Sequence, residues 1–207
     1  MRSSLQLALV LSTAIGLVLT PAPSASAQAS DYVCPLKDSP QIRPGDAVAS
    51  SGGGFDATRA GGRRHGALDL NSTEGASVYA VHGGVAAVSA NGWGPFGSTV
   101  ILDHGDGTYS VYAHLSGRSV QESDSVSAGQ QIGSVGYTGN AAALRAKGLP
   151  PHLHFAMIQA TKSGLAGPGG SLRRMRDLDD SWESLGAEFT GPVNPEGYMP
   201  SSCWSGS

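Results

Sequence analysis

Short runs of β-prone residues separated by glycine-rich turns recur along the middle of the chain and limit its possible folds. A strand is predicted to begin near Ala67, and six more are predicted at residues 77–81, 84–89, 98–103, 108–114, 130–135 and 153–159. Only 14% of the residues are charged and 30 are glycine, which favours strands and turns over long helices. Residues 103–107 have the composition of a hairpin turn. The predicted fold class is therefore all-β, with a compact antiparallel sheet core.

One short helix is predicted near the C-terminus. Residues 161–171 are rich in Gly and Ser and predict a flexible loop. Apolar residues then recur at helical spacing: Leu172, Met175, Leu178, Trp182, Leu185 and Phe189. Ser171 is a suitable N-cap, and Gly186 is a suitable end. Two interpretations stay open: a surface helix packed on the sheet, or a wall of a substrate groove.

The first 27 residues have the layout of a secretory signal peptide. A positive start at Arg2 precedes an apolar run, and the small residues Ala25-Ser26-Ala27 end it. We expect cleavage after Ala27 and a secreted or cell-wall-associated protein without membrane contact. The alternative is a retained membrane anchor, for which the apolar run is short. The remaining chain then divides into an irregular lead-in (residues 28–43), one domain (residues 44–200) and a tail (residues 201–207).

The two cysteines, Cys34 and Cys203, lie near the two ends of the expected mature chain. In an exported protein such a pair favours a disulfide over two free thiols. The bond would tie the tail to the lead-in, and the chain-entropy model credits so long a loop with roughly 4–5 kcal/mol. The formal charge of -3 gives no electrostatic basis for nucleic-acid binding. No sequence feature indicates more than a monomer.

The stretch His152-Leu153-His154-Phe155 places two imidazoles on one face of a predicted strand. Leu153 and Phe155 would then face the core. His154 can join His65 and Asp69 in a His, His, carboxylate set, one of the known ligand sets of catalytic zinc. Residues four apart on an extended strand are roughly 13 Å apart, so this set requires a chain bend at Gly66.

The other histidines allow more than one interpretation. His114 ends a predicted strand, where Tyr112 and His114 would share one face. It is either a catalytic imidazole or a hydrogen-bonded residue at a strand end. His82 precedes two glycines and His104 lies in the hairpin turn, and we assign both to structure or surface.

The ordered motifs resemble those of the lysostaphin-type (LytM-like) zinc endopeptidases, which cut peptidoglycan. The matching stretches are His65-Gly66-Ala67-Leu68-Asp69, Val78-Tyr79-Ala80, Gly83-Gly84-Val85, residues 100–107, Tyr112-Ala113-His114-Leu115-Ser116, Val126 with Ala128-Gly129-Gln130, Ile132-Gly133, Thr138-Gly139, His152-Leu153-His154-Phe155 and Val193-Asn194-Pro195. They extend over about residues 60–200.

The resemblance implies a secreted zinc metalloendopeptidase acting on peptide bonds in peptidoglycan cross-links or stem peptides. It assigns His65, Asp69 and His154 as zinc ligands, and His114 and His152 as catalytic histidines. It also implies an antiparallel β-fold with the site in a groove. Two alternatives remain: a secreted protease acting on proteins, and an inactive peptidoglycan-binding regulator.

The chain departs from the family pattern in four places. Ala67 stands where the family commonly has Gly, and Ala156 where it often has an acidic residue. Residues 140–149 and 161–190 are insertions that border the expected groove. These insertions are expected to influence which substrate is accepted.

Overall fold

The computed structural model describes residues 31–45, 52–59, 62–161, 164 and 189–204. Within these residues the chain forms eleven strands: β1 (Gln41–Ile42), β2 (Leu68–Asn71), β3 (Ser77–Tyr79), β4 (Gly84–Ala90), β5 (Thr99–Asp103), β6 (Thr108–Ala113), β7 (Leu115–Arg118), β8 (Ser125–Val126), β9 (Gln131–Val135), β10 (His152–Ala160) and β11 (Phe189–Val193). The single α-helix among them is α1 (Ala142–Ala146). The predicted all-β class is confirmed.

The strands form two antiparallel sheets. The larger sheet has the order β1-β2-β10-β6-β5-β4-β8, and β11 pairs with the C-terminal half of β10. The smaller sheet has the order β3-β9-β7. Strand β10 lies inside the larger sheet, with β6 on one side and β2 followed by β11 on the other. The strand that carries the two histidines is therefore supported on both edges.

Strand β10 separates the main core from the face that carries the histidines. Leu153 and Phe155 belong to the main hydrophobic cluster, which joins residues of both sheets. Ala156 belongs to a second cluster on the opposite face, together with Phe96, whose ring contacts that of His154. Burying each large apolar side chain stabilises the fold by about 1.5–3 kcal/mol. The predicted alternation is confirmed, and core packing on one face holds the histidines on the other.

Most predicted strands match observed ones to within one or two residues. Other predictions differ from the structure or lie outside the described residues. The lead-in is not wholly irregular, because Gln41–Ile42 pairs with β2. Phe189, which was included in the helical pattern, begins strand β11 and pairs with Ala160. The predicted helix between Ser171 and Gly186 lies outside the described residues, as does the signal peptide over residues 1–27.

Cys34 and Cys203 form the predicted disulfide, across a sequence separation of 169 residues. Cys203 is buried in the main cluster, and Cys34 packs against it. The bond therefore joins the lead-in to the C-terminal tail. No helix among the described residues is both long and apolar enough to cross a membrane. The domain boundaries stay a prediction.

Replacing both cysteines by serine should lower the free energy of unfolding by about 2–5 kcal/mol, because the unfolded chain loses its longest constraint. Equilibrium denaturation of the oxidised wild type and of Cys34→Ser/Cys203→Ser measures the difference. Reduced wild type is the matched control, and it should unfold at the same denaturant concentration as the double variant. Equal stability of the oxidised wild type and the variant would contradict the expectation.

Candidate metal centre

Asp69 and His154 lie side by side on two neighbouring strands of the larger sheet. The register between β2 and β10 places His154 directly opposite Asp69. Residues that lie directly opposite in an antiparallel pair project to the same face. The 3.1 Å between Nδ1 of His154 and Oδ1 of Asp69 follows from this register. Both side chains are buried.

His65 reaches the same point because the chain bends just before β2. The bend lies at Ala67, and Gly66 is not among the described residues with a positive φ. The bend required by the sequence is therefore present without a left-handed glycine. Backbone hydrogen bonds from His65 N–H to the Ala57 carbonyl and from Asp56 N–H to the His65 carbonyl hold the approach.

The ligand atoms of the three side chains form a compact triangle. Nε2 of His65 lies 3.3 Å from Oδ1 of Asp69 and 3.4 Å from Nδ1 of His154. The third edge is the 3.1 Å contact between His154 and Asp69. Atoms bound to tetrahedral zinc at about 2.0–2.2 Å are separated by roughly 3.3–3.6 Å. Two edges of the triangle lie in this range and the third is shorter by about 0.2 Å, so the triangle is close to the size that a zinc ion requires. It is the one such ligand group found among the described residues.

The hydrogen bonds of His65 fix which nitrogen is available. Its Nδ1 lies 3.0 Å from the carbonyl oxygen of Gly54. A carbonyl only accepts, so Nδ1 carries the proton and Nε2 of the neutral ring presents a lone pair to the triangle. A backbone carbonyl that orients the ring in this way is the usual outer partner of a metal-binding histidine.

Asp69 is held ionised although it is fully buried. Burial by itself would raise the pKa of its carboxyl. Electrostatic interaction with the neighbouring ring of His152 and the polar contacts of Oδ1 with the rings of His154 and His65 outweigh burial and hold this pKa well below its usual range. Its second oxygen, Oδ2, accepts from Nη2 of Arg43 at 2.5 Å and from Nη2 of Arg59 at 2.9 Å. Oδ1 therefore stays directed to the triangle.

His114 enters the site by a route that strand alternation does not predict. Strand β6 ends at Ala113, and His114 has a φ of 63°. Tyr112 packs on Phe155 in the main cluster, whereas the ring of His114 lies 4.9 Å from that of His152 on the other face. The prediction that Tyr112 and His114 share a face is therefore wrong. The positive φ breaks the alternation and turns the imidazole to the site.

Two loops hold His114 in place. Its backbone N–H donates to the carbonyl of Phe96, and its Nδ1 donates to the carbonyl of Thr138 at 3.0 Å. The loops meet at Gly97 and Gly139, where each backbone occupies the space of the other's missing side chain. The Thr138 carbonyl fixes the proton on Nδ1, so Nε2 of neutral His114 is a proton acceptor.

His114 and His152 are buried and neutral. Burial lowers the pKa of His114 well below its usual value, and the neighbouring imidazoles add to this. Burial also lowers the pKa of His152 to about 4 against the raising effect of Asp69. Nδ1 of His152 has no hydrogen-bond partner in the part of the chain that the structure describes. A buried polar atom without a partner is costly, which suits a position where water or substrate binds.

His82 and His104 lie apart from this site. Both direct Nδ1 to the carbonyl of Gly83, and Nε2 of His104 lies 2.9 Å from the hydroxyl of Ser110. Their rings contact each other and Tyr32. These contacts agree with the structural role assigned to both.

Arg43 and Arg59 are the site residues that the sequence did not reveal. Neither belongs to a recognisable spacing of metal ligands. The available signal was indirect, because a buried carboxylate needs a charged or hydrogen-bonding partner. Which cation supplies it depends on strand pairing.

A family model for peptidase family M23 matches residues 63–164. An L-Ala–D-Glu endopeptidase of Bacillus subtilis is 38% identical over 108 residues, covering 50% of this chain and 32% of that protein. Lipoprotein NlpD of Yersinia enterocolitica is 30% identical over 95 residues, covering 46% of this chain and 90% of that protein. The murein hydrolase activator NlpD of Escherichia coli is 28% identical over 109 residues, covering 53% of this chain and 26% of that protein.

The fold is similar to that of a solved peptidase. The antimicrobial peptidase lysostaphin from Staphylococcus simulans matches with a TM-score of 0.52 and 20% identity, covering 81% of this chain and 56% of that chain. This likeness concerns the fold alone. Several curated relatives are much longer than the matched region, and the chain spans 17% to 32% of their length.

Gly139→Ala should destabilise the protein more than Gly148→Ala. Both glycines have a positive φ, of 67° and 69°. A Cβ at Gly139 would lie 2.2 Å from the Pro95 carbonyl oxygen, whereas one at Gly148 meets nothing within 4 Å. Backbone strain alone should cost about 1 kcal/mol at Gly148, and the clash should raise the cost at Gly139 to at least about 2 kcal/mol. Denaturant unfolding of both variants measures this, and equal losses would contradict the proposed interlock of the two loops.

Proposed function

The chain belongs to peptidase family M23, and from that premise we propose that it is a secreted zinc metalloendopeptidase that hydrolyses peptide bonds in bacterial peptidoglycan. His65, Asp69 and His154 are the proposed metal ligands. His114 and His152 are the proposed catalytic residues. Export is supported by the signal-peptide layout of residues 1–27.

The triangle of ligand atoms is the observation that carries this proposal. Its three edges of 3.1–3.4 Å suit one tetrahedral zinc with a fourth position open. Structural zinc sites are closed by four protein ligands, whereas catalytic sites keep a position for water or substrate. The two neutral imidazoles of His114 and His152 lie beside the triangle, where they could exchange protons with a water or substrate at that open position.

When bound, zinc supplies a Lewis acid and an activated water at neutral pH. The chain's own residues supply orientation and proton transfer. Asp69 and the two ligand histidines fix the reacting centre on rigid strands and on a bend held by backbone hydrogen bonds. Burial around them excludes bulk water, which strengthens each electrostatic interaction.

His114 is the proposed proton acceptor. Because its Nδ1 donates to the Thr138 carbonyl, Nε2 presents a lone pair that can take a proton from the attacking water. The lowered pKa of His114 keeps this ring unprotonated at neutral pH. His152 supplies the second proton-transfer group, and its unpaired Nδ1 can interact with the scissile peptide or its developing oxyanion.

Peptidoglycan is the proposed substrate because relatives carry names of wall-acting proteins. The Bacillus subtilis relative is named as an L-Ala–D-Glu endopeptidase, and the Escherichia coli relative as a murein hydrolase activator. The second name also favours another candidate function, a catalytically silent regulator of wall hydrolysis. The presence of all five predicted residues in one buried site favours the enzyme.

Digestion of purified peptidoglycan, followed by mass spectrometry of the fragments, tests the function directly. New amino and carboxyl termini at one peptide bond are expected, and a chelator should abolish their formation until zinc is added back. Zinc binding without cleavage of any muropeptide would favour the regulator. Cleavage of casein with the wall left intact would favour a protease that acts on proteins.

Two alanine variants should separate metal binding from turnover. His154→Ala should lose both zinc and activity because it removes a ligand. His114→Ala should retain zinc and lose about 10²–10⁴-fold in kcat because it removes a proton-transfer group. His82→Ala, at a histidine outside the site, is the matched control and should retain both. Full activity of His114→Ala would refute the assigned role.

A further inference from the structure

Two guanidinium groups bind the same oxygen of Asp69. Nη2 of Arg43 and Nη2 of Arg59 lie 2.5 and 2.9 Å from Oδ2, and both arginine side chains are largely buried. We propose that Arg43 and Arg59 are positioning residues that occupy Oδ2 and so reserve Oδ1 for the metal. This inference rests on the proposed function.

The position of Arg43 follows from strand pairing. Ile42 of β1 lies opposite Leu70, so the next residue along, Arg43, lies opposite Asp69. The backbone N–H of Arg43 donates to the Asp69 carbonyl at 2.9 Å. Opposite residues project to one face, so Arg43, the residue after the end of β1, lies in one row with Asp69 on β2 and His154 on β10.

The loop between β1 and β2 tightens this row. The N–H of Gly53 donates to the Arg43 carbonyl, and the N–H of Asp69 donates to the Gly53 carbonyl. A Cβ at Gly53 would lie 2.7 Å from Cβ of Asp69, so this close approach requires glycine. The Asp69 backbone is thus held on its Arg43 side by two segments.

Arg59 approaches Oδ2 from a separate segment. Thr58 and Arg64 form an isolated antiparallel bridge, and the N–H of Arg59 donates to the Arg63 carbonyl. Nη1 of Arg59 also donates to the Gly52 carbonyl at 3.3 Å. Arg43 and Arg59 both precede residues 63–164, the region that the family model matches.

The arginines have two opposite effects on a metal at Oδ1. Their positive charge repels a divalent cation and withdraws charge from the carboxylate, which weakens binding. Their hydrogen bonds hold the carboxylate in one orientation and stop Oδ2 from turning to the metal, which strengthens binding. Positioning and charge therefore predict opposite signs for the change in zinc affinity when an arginine is removed.

The contacts favour positioning. Nε2 of His65 and Nδ1 of His154 already lie 3.3 and 3.1 Å from Oδ1, so a rotated carboxylate would lose the triangle. The imidazoles around Oδ1 cannot prevent that rotation, because they contact one oxygen only. The guanidinium donors on Oδ2 supply the missing constraint.

Zinc affinity of Arg43→Met, measured by competition with a chromophoric chelator, tests the inference. An affinity about 10-fold lower than wild type is expected, within the range typical of lost outer partners. Arg43→Lys should recover part of the loss, because the contact uses a single nitrogen. Arg64→Met is the matched control, since its side chain is 63% exposed and pairs with Asp56 instead. Its affinity should equal that of wild type.

The visible absorption of Co²⁺-loaded protein adds a readout that a general loss of stability does not change. Wild type and Arg64→Met should give the intense bands of four-coordinate Co²⁺, and Arg43→Met the weaker bands of higher coordination. Circular dichroism verifies folding, and Arg59→Met replaces Arg43→Met if the latter does not fold.

Tighter zinc binding by a folded Arg43→Met or Arg59→Met would overturn the positioning role, because charge alone predicts that result. Unchanged zinc binding would overturn it too, because the removed hydrogen bond would then have contributed nothing to metal affinity. Failure of the wild type to bind zinc would instead overturn the proposed function. The two failures are therefore distinguishable within one set of titrations.

Discussion

The buried carboxylate of Asp69 is the group on which the rest of the site depends. An ionised carboxylate away from water is costly unless it is paired and hydrogen-bonded. The protein surrounds it completely: imidazoles face Oδ1, and two arginines bind Oδ2. The two oxygens therefore have different surroundings: Oδ2 is bound by the arginines, and Oδ1 belongs to the candidate metal site. The central position of β2 between β1 and β10 makes the arrangement possible.

The two proposed catalytic histidines are held in two different ways. His152 is part of β10, so core packing of Leu153 and Phe155 on the opposite face fixes its position. His114 lies outside regular structure and depends on carbonyls from two loops that interlock at Gly97 and Gly139. A rigid strand thus presents one imidazole, and loop contacts set the tautomer of the other. Together, the strand and the loop contacts place the two rings 4.9 Å apart in one buried site.

The lead-in contributes to the site although it precedes the region that the family model matches. Its strand β1 extends the sheet beside β2, and the Cys34–Cys203 disulfide joins the same segment to the C-terminal tail. Arg43 is therefore carried by a segment held at both ends, by a disulfide and by strand pairing. Cys34, which forms the disulfide, and Arg43, which contacts the candidate metal centre, therefore belong to one continuous segment.

Periodicity in the sequence predicted seven of the eleven strands among the described residues, the two faces of His152-Leu153-His154-Phe155 and the need for a bend before β2, because alternation and turn chemistry are local properties. Residue types and spacing indicated His65, Asp69 and His154 as a possible ligand set, the resemblance assigned the roles of His114 and His152, and the disulfide followed from the number and placement of cysteines. Tertiary structure decided the side of the sheet to which His114 turns, since one positive φ reverses the alternation. It also decided the arginine partners of Asp69 and the pairing of β11 with β10. These depend on contacts between distant segments, which no local pattern encodes.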